Sequence, residues 1–370
     1  MLEYCSRSCK QCPDQAEELA AILAEKVKKV KVYTKEELRI GEDMGEPQSL
    51  EAPEFHVSEK ETTARIDASR LYLQDSDFDD DLIEICLNKH EKCFAWAVAG
   101  ECEKNKKYMI SSCAPACMTC DKLTVESRCP IDPDAKAAWE SGSLNAMFER
   151  LTSEPIITQY NVTILSSPPE PWVVIVDGVV TEEESKRFIE LGDVEGFERS
   201  QDVGAKNPDG TYGSIVSTGR TSTNAWCNEK CHDDPVAVNV QKRLSYLTMI
   251  NETNSEYLQL LKYKPGQFYE DHHDYIEHNL NRQQGVRILT AYLYLNDVEA
   301  GGGTKFTGLD LTVMPKLGRA LFWPSVFNDK PHEKDGRTNH QALPVEAGVK
   351  FGANGWFHQY DFKVCTGYHL

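Results

Sequence analysis

The chain has 370 residues, with 40 Lys and Arg against 59 Asp and Glu, so its net charge at neutral pH is −19 and its isoelectric point lies near 5.0. An acidic balance of that size argues against nucleic acid or an anionic membrane surface as a partner, and leaves basic, Lys-rich or proline-rich substrates open. No apolar run approaches the roughly 20 residues that a helix needs to cross a bilayer, and a mean hydropathy of −0.50 fits a soluble chain.

In chain order, residues 1–12 carry Cys5, Cys9 and Cys12 behind Met1. Residues 13–85 then read as a helix and an acidic linker. From Pro13 to Val30, the residues Ala16, Leu19, Ala20, Leu23, Val27 and Val30 make one apolar face. Residues 40–81 are acidic, lack apolar periodicity and end in the run Asp75 to Asp81, which predicts a flexible linker rather than a metal site.

Cys86, Cys93, Cys102, Cys113, Cys117 and Cys120 crowd into the next 35 residues. Six Cys in so short a stretch predict a disulfide framework, and spacing alone leaves fifteen pairings open. Zinc is the competing reading, since close Cys pairs also bind metal, but no His spacing supports it. With Trp96, Ala97, Gly100, Glu101 and Cys102 in order, and Met109 four residues before Cys113, residues 86–120 resemble the ShKT domain, a small module held by three disulfides. The resemblance implies the pairs Cys86–Cys120, Cys93–Cys113 and Cys102–Cys117. Met1, Cys5, Cys9 and Cys12 repeat the spacing of Met109, Cys113, Cys117 and Cys120. Residues 1–12 are therefore expected to be the remnant of a truncated first module, its three Cys without partners.

A second linker is expected over residues 121–167, and a large domain over 168–365. Its fold class is mixed α+β, mainly β: apolar or alternating runs recur at Trp172 to Val180, Tyr257 to Tyr263, Val286 to Leu295, Leu309 to Met314, Ala320 to Trp323 and Lys350 to Tyr360, separated by Gly, Asn and Asp clusters. That pattern suits a double-stranded β-helix, the jelly-roll type of barrel, with flanking helices. Thr181 to Glu184 is a capping box opening a helix that ends near Gly192. Residues 200–222, rich in Gly, Ser, Asn and Asp, read as a long irregular lid over a bound peptide.

His272 and Asp274 are two apart, so in an extended segment both side chains leave one face, and His340 would complete a set of two imidazoles and one carboxylate. Such a set holds ferrous iron on three positions and leaves three open for a bidentate 2-oxo acid and dioxygen. Lys350 then answers the far carboxylate of 2-oxoglutarate, which needs a fixed cation in an apolar pocket. The spacing alone is weak evidence: chance supplies one or two such His and carboxylate pairs in a chain of this composition. His232 and Asp234 form a second pair, but they sit in a polar turn before a helix-like run.

The neighbours are more specific. Tyr263, Gly266, Tyr269, His272 and Asp274, then Arg287, Thr290, Tyr294, Leu295 and Asn296, then Gly302, Gly303, Thr304 and Phe306, then His340, Pro344, Val345, Gly348, Lys350 and Trp356 follow one ordered pattern. Over residues 257–356 the chain resembles the prolyl 4-hydroxylases, iron- and 2-oxoglutarate-dependent dioxygenases. Gly303 stands where that family usually has a polar residue, and Thr307 where proline is common. The resemblance implies Fe(II) ligands His272, Asp274 and His340, a 2-oxoglutarate site of Lys350, Tyr263 and Thr304, and a peptide side lined by Arg287, Trp356 and Tyr269. It also implies O2 and ascorbate, a proline-rich peptide as substrate, and a disulfide isomerase-like subunit or self-association as partner.

Disulfide modules need an oxidising compartment, and the sequons at Asn161 and Asn251 suit the lumen of the endoplasmic reticulum. Cys227 and Cys231 are candidates for a local bridge, and Cys129 and Cys365 either pair across the domain or stay free. Two other readings stand beside the hydroxylase: an oxygenase acting on another residue or a small molecule, and a secreted ShKT binding protein with an inactive barrel.

Overall fold

The computed structural model describes residues 33–364, and the chain forms two compact units that divide at Cys120 and Asp121. The expectations for residues 1–32, namely the Cys5, Cys9 and Cys12 remnant and the helix from Pro13, lie outside the described residues, as does Cys365. No helix among the described residues is long and apolar enough to cross a membrane.

In the first unit, disulfides join Cys86 to Cys120, Cys93 to Cys113 and Cys102 to Cys117, the same three pairs that the resemblance implies. They close loops of 34, 20 and 15 residues around a small core of Phe94, Met109, Cys113 and Ala116. On the chain-entropy account, each such loop contributes about 3 kcal/mol.

The stretch expected as an acidic linker is folded. Helices occupy Lys35–Arg39, Glu59–Asp75 and Asp80–Ile85, and Met44 and Ile66 are buried in the same core. Polar contacts hold this segment, which is why apolar periodicity misses it. Ser58 and Glu61 form a capping box, Asp79 caps the third helix, Arg65 donates to the Ala116 carbonyl at 2.7 Å, and the Tyr72 hydroxyl accepts from the Cys120 amide at 3.1 Å.

The second unit is a jelly roll of two facing antiparallel sheets. The larger runs, edge to edge, Asn161–Ser166, Val173–Asp177, Ala320–Pro324, Arg287–Tyr294, Lys350–His358, Leu258–Tyr263, Thr223–Cys227 and Glu198–Arg199. The smaller runs Leu311–Val313, Thr304–Phe306, His340–Ala342 and Tyr269–His272. Alternation along the strands feeds two cores. Val174, Val176, Leu258 and Leu260 meet Phe188, Leu191, Val240 and Leu244 of helices Glu182–Glu195 and Pro235–Thr248 on the outer face. Val173, Ile175, Leu261, Tyr263, Tyr292 and Tyr294 turn inward to meet Phe306 and Val313 of the smaller sheet.

Two sequence expectations change here. The second linker is part of this unit: helix Ser143–Leu151 buries Leu144, Met147, Phe148 and Leu151, an i, i+3, i+4, i+7 stripe, and strand Asn161–Ser166 extends the larger sheet. The fold therefore starts upstream of Pro168. The expected irregular lid is mostly a hairpin, Asp202–Lys206 paired with Tyr212–Ile215, because Asn207, Pro208, Asp209 and Gly210 supply turn chemistry, with Gly210 at φ 82°. Asp234 caps helix Pro235–Thr248 through the Val236 amide at 2.9 Å, a structural role. Cys227 is bonded to Cys231, and Cys129 is itself in a disulfide.

Candidate active site

Antiparallel pairing within the smaller sheet sets the geometry. Strand Tyr269–His272 pairs with His340–Ala342 so that His272 faces His340 directly, ring centroids 4.3 Å apart. Asp274 follows two residues beyond His272, with its Oδ2 3.6 Å from His340 Nε2. One donor atom from each of the three lies within 4.8 Å of the others, the one such cluster of His, Cys, Asp or Glu among the described residues.

Both imidazoles are oriented by backbone. His272 Nδ1 lies 2.8 Å from the Glu270 carbonyl and His340 Nδ1 lies 3.0 Å from the Thr338 carbonyl. A carbonyl only accepts, so each Nδ1 carries the proton and each Nε2 keeps its lone pair for a metal. The Thr290 hydroxyl donates to Asp274 Oδ2 at 2.7 Å, and the Tyr269 ring stacks on His272 at 3.6 Å. Burial, with the His340 ring beside it, brings the His272 imidazole down to about 3. Burial pushes the Asp274 carboxyl up, but His340, His272, Arg287 and the Thr290 hydroxyl outweigh it and bring it down to about 2. Near neutral pH the site thus offers a neutral His272 and an ionised Asp274. Those donors fit Fe(II), whose preferred face is this set.

Lys350 begins strand Lys350–His358 and stands opposite Tyr263. It is 1% exposed, and its Nζ lies 5.2 Å from the Tyr263 and Tyr292 ring centroids and 5.4 Å from that of Tyr294. No acceptor among the described residues bonds the ammonium, and burial alone lowers it to about 7. Thr304 lies alongside, its Oγ1 2.8 Å from the Tyr294 hydroxyl.

A cavity of about 230 Å³ is lined by His272, Asp274, His340, Lys350, Tyr263, Thr304, Tyr269, Arg287 and Trp356, so the structure brings together every predicted site residue. Arg287 differs from a free surface cation. It forms two bonds to Glu256, at 2.5 and 3.0 Å, and its guanidinium lies 3.7 Å over the Trp356 ring. Glu256 also meets His358 Nε2 at 2.7 Å. Burial raises that carboxyl, yet Arg287 and His358 more than reverse it and hold it at about 2.

Sequence reasoning missed Glu256 and His358, which flank the motif, and also Arg220, whose guanidinium lies 4.6 Å over the Tyr269 ring. It missed Tyr292 as well. The available signal was a second tyrosine, two residues before Tyr294, in the same strand.

The family model of the 2OG-Fe(II) oxygenase superfamily matches residues 258–358. Prolyl 4-hydroxylase 5 of Arabidopsis thaliana is 35% identical over 217 residues, 53% of this chain and 71% of that protein. Prolyl 4-hydroxylase subunit alpha-2 of Gallus gallus is 37% identical over 147 residues, 39% of this chain; the chain spans only 27% of that relative's length. Among solved structures, the viral collagen prolyl hydroxylase vCPH from Paramecium Bursaria Chlorella virus-1, as its 2OG complex, aligns at TM-score 0.40 and 25% identity over 50% of this chain and 95% of that one.

Proposed function

The chain belongs to the prolyl 4-hydroxylase family of 2-oxoglutarate- and Fe(II)-dependent oxygenases, and from that premise we propose that it hydroxylates peptidyl proline at C4. The balanced reaction consumes peptidyl proline, 2-oxoglutarate and O2 and releases 4-hydroxyproline, succinate and CO2. One observation carries the reading: the His272, Asp274 and His340 donor atoms lie within 4.8 Å of one another, on the same cavity as a buried Lys350 that has no acceptor among the described residues.

His272, Asp274 and His340 would hold the iron, which supplies the oxygen activation when bound. The remaining chemistry belongs to the chain. Lys350 receives the distal carboxylate of 2-oxoglutarate beside Tyr263 and Thr304, gaining the counterion that burial otherwise denies it. Glu256 and Trp356 hold Arg287 in one orientation on the peptide side, where Tyr269 also faces the cavity. The Trp356 Nε1 is buried without a partner among the described residues and is suited to a peptide carbonyl. A proline-rich peptide loses little entropy on binding, because it is already extended in water. Ascorbate would keep the metal ferrous.

The three disulfides of the first unit and the Cys227–Cys231 bond support an oxidising compartment, and the endoplasmic reticulum lumen is the proposed site of action. Exposed Asn161 and Asn251 fit glycosylation there. Residues 86–120 of the first unit are proposed as a ShKT domain, and a disulfide isomerase-like subunit or self-association as the assembly.

The test is succinate formation from 2-oxoglutarate with Fe(II), ascorbate and a polyproline peptide. Peptide-stimulated turnover with one oxygen atom added to proline is expected. Turnover on a lysine-containing peptide or a small molecule, but none on polyproline, overturns the substrate assignment and favours the same chemistry on another carbon.

A further inference from the structure

Tyr292 sits mid-strand in Arg287–Tyr294, on the same face as Thr290 and Tyr294, since alternate residues of a strand share a face. Thr290 bonds Asp274 at the metal end, and Tyr294 bonds Thr304 near Lys350. Tyr292 therefore spans the interval between the donor set and the ammonium. It is 6% exposed, yet its hydroxyl has no partner among the described residues.

The neighbouring phenols differ. The Tyr263 hydroxyl is engaged by Ser222 and the Tyr294 hydroxyl by Thr304. Of the three, only Tyr292 leaves its hydroxyl unmatched among the described residues, and a buried hydroxyl without a partner is destabilising. The ring is packed so closely against the next strand that a Cβ at Gly352 would collide with its hydroxyl, so the phenol is fixed in place. Burial first, then the Tyr263 and Tyr294 phenols, keep it protonated well above neutral pH, and it remains a donor. Lys350 is the second unmatched group, with its Nζ 5.2 Å from the Tyr292 ring centroid. A carboxylate has about four acceptor positions, more than one ammonium fills.

We propose that Tyr292 is a third hydroxyl of the diacid site, donating through its phenol to the distal carboxylate of 2-oxoglutarate that Lys350 holds. This rests on the reading of Lys350 given above. It assigns to the Tyr292 side chain a selection for 2-oxo acids that carry a second carboxylate.

The test uses the full chain loaded with Fe(II) without oxygen, titrated calorimetrically with 2-oxoglutarate and with 2-oxobutyrate, which lacks the distal carboxylate. Tyr292→Phe is expected to weaken 2-oxoglutarate about ten- to a hundredfold, the range for a hydrogen bond to a charged group, and to leave 2-oxobutyrate unchanged. Thermal unfolding separates a ligand role from a structural one. The ligand-free variant should melt no lower than the parent, because a buried orphan hydroxyl is gone, while the upward shift produced by 2-oxoglutarate shrinks. Gly352→Ala, which displaces the hydroxyl without deleting it, should weaken 2-oxoglutarate in the same selective way. Equal binding of both acids by parent and Tyr292→Phe overturns the proposal, as does an equal loss for both acids, which would move Tyr292 to the metal end. If Lys350→Ala also leaves 2-oxoglutarate binding intact, the diacid site itself is misassigned, a different failure from that of Tyr292 alone.

Discussion

At the His272 end of the cavity, each donor is held by a second group, whereas at the Lys350 end an ammonium and a phenol stand buried without acceptors among the described residues. Glu270 and Thr338 carbonyls orient the two imidazoles, and the Thr290 hydroxyl orients Asp274. Lys350 has aromatic faces around it and, among the described residues, no anion. The contrast separates two ways of preparing a site. One end is fixed before any ligand arrives; the other is left incomplete so that a ligand of the right charge completes it.

Substitutions at either end sharpen that contrast. The largest effect is expected from His272→Ala, which removes one of three donors: peptide-stimulated succinate formation should fall by more than about a thousandfold, and activity close to the parent's would remove the metal assignment. Lys350→Ala should leave metal binding intact and raise the KM for 2-oxoglutarate by about a hundredfold, because the distal carboxylate loses a charge-assisted bond. Thr290→Val keeps the three donors and removes only the support for Asp274. An apparent Fe(II) affinity lower by about tenfold, with the KM for 2-oxoglutarate little changed, is the expected split. A graded effect is expected in pH. Below about 7 the Lys350 ammonium is charged and 2-oxoglutarate affinity should be flat. Above it, binding must recapture a proton, so the KM should rise by up to about tenfold per pH unit until the ligand-bound ammonium itself titrates. Among the described residues, the Tyr263, Tyr292 and Tyr294 phenols surround that ammonium, and burial raises all three. A KM that is flat up to pH 9 would mean the ammonium has a partner.

The residues that meet at the cavity were legible because His272, Asp274, His340, Lys350 and their flanking Gly, Thr and Trp residues stand in one ordered pattern along the chain. Tyr292 was not. Strand Arg287–Tyr294 is buried on both faces, so hydrophobic alternation does not mark which residues point to the cavity. Glu256 was hidden for another reason: an acidic residue ahead of a strand reads as surface until its Arg287 and His358 partners are seen in space. In the first unit, helix Glu59–Asp75 buries Thr62, Ile66 and Ser69, a set too polar for a periodicity argument to find. Leu144, Met147, Phe148 and Leu151 did carry a readable stripe, obscured by the Gly, Ser and Pro around it. The Asn207 to Gly210 turn was likewise present in the sequence before the hairpin was seen.

Strand Tyr269–His272 is the end strand of its sheet, with an isolated bridge from Arg220 to Tyr269 on its far side. Its pairing with His340–Ala342 is the contact that sets the two imidazoles face to face. A cation gripping both rings would therefore rivet together chain segments that are nearly seventy positions apart. Amide hydrogen exchange should report this directly: loading the metal should slow exchange along that border strand, while the inner strands of the larger sheet keep their rates.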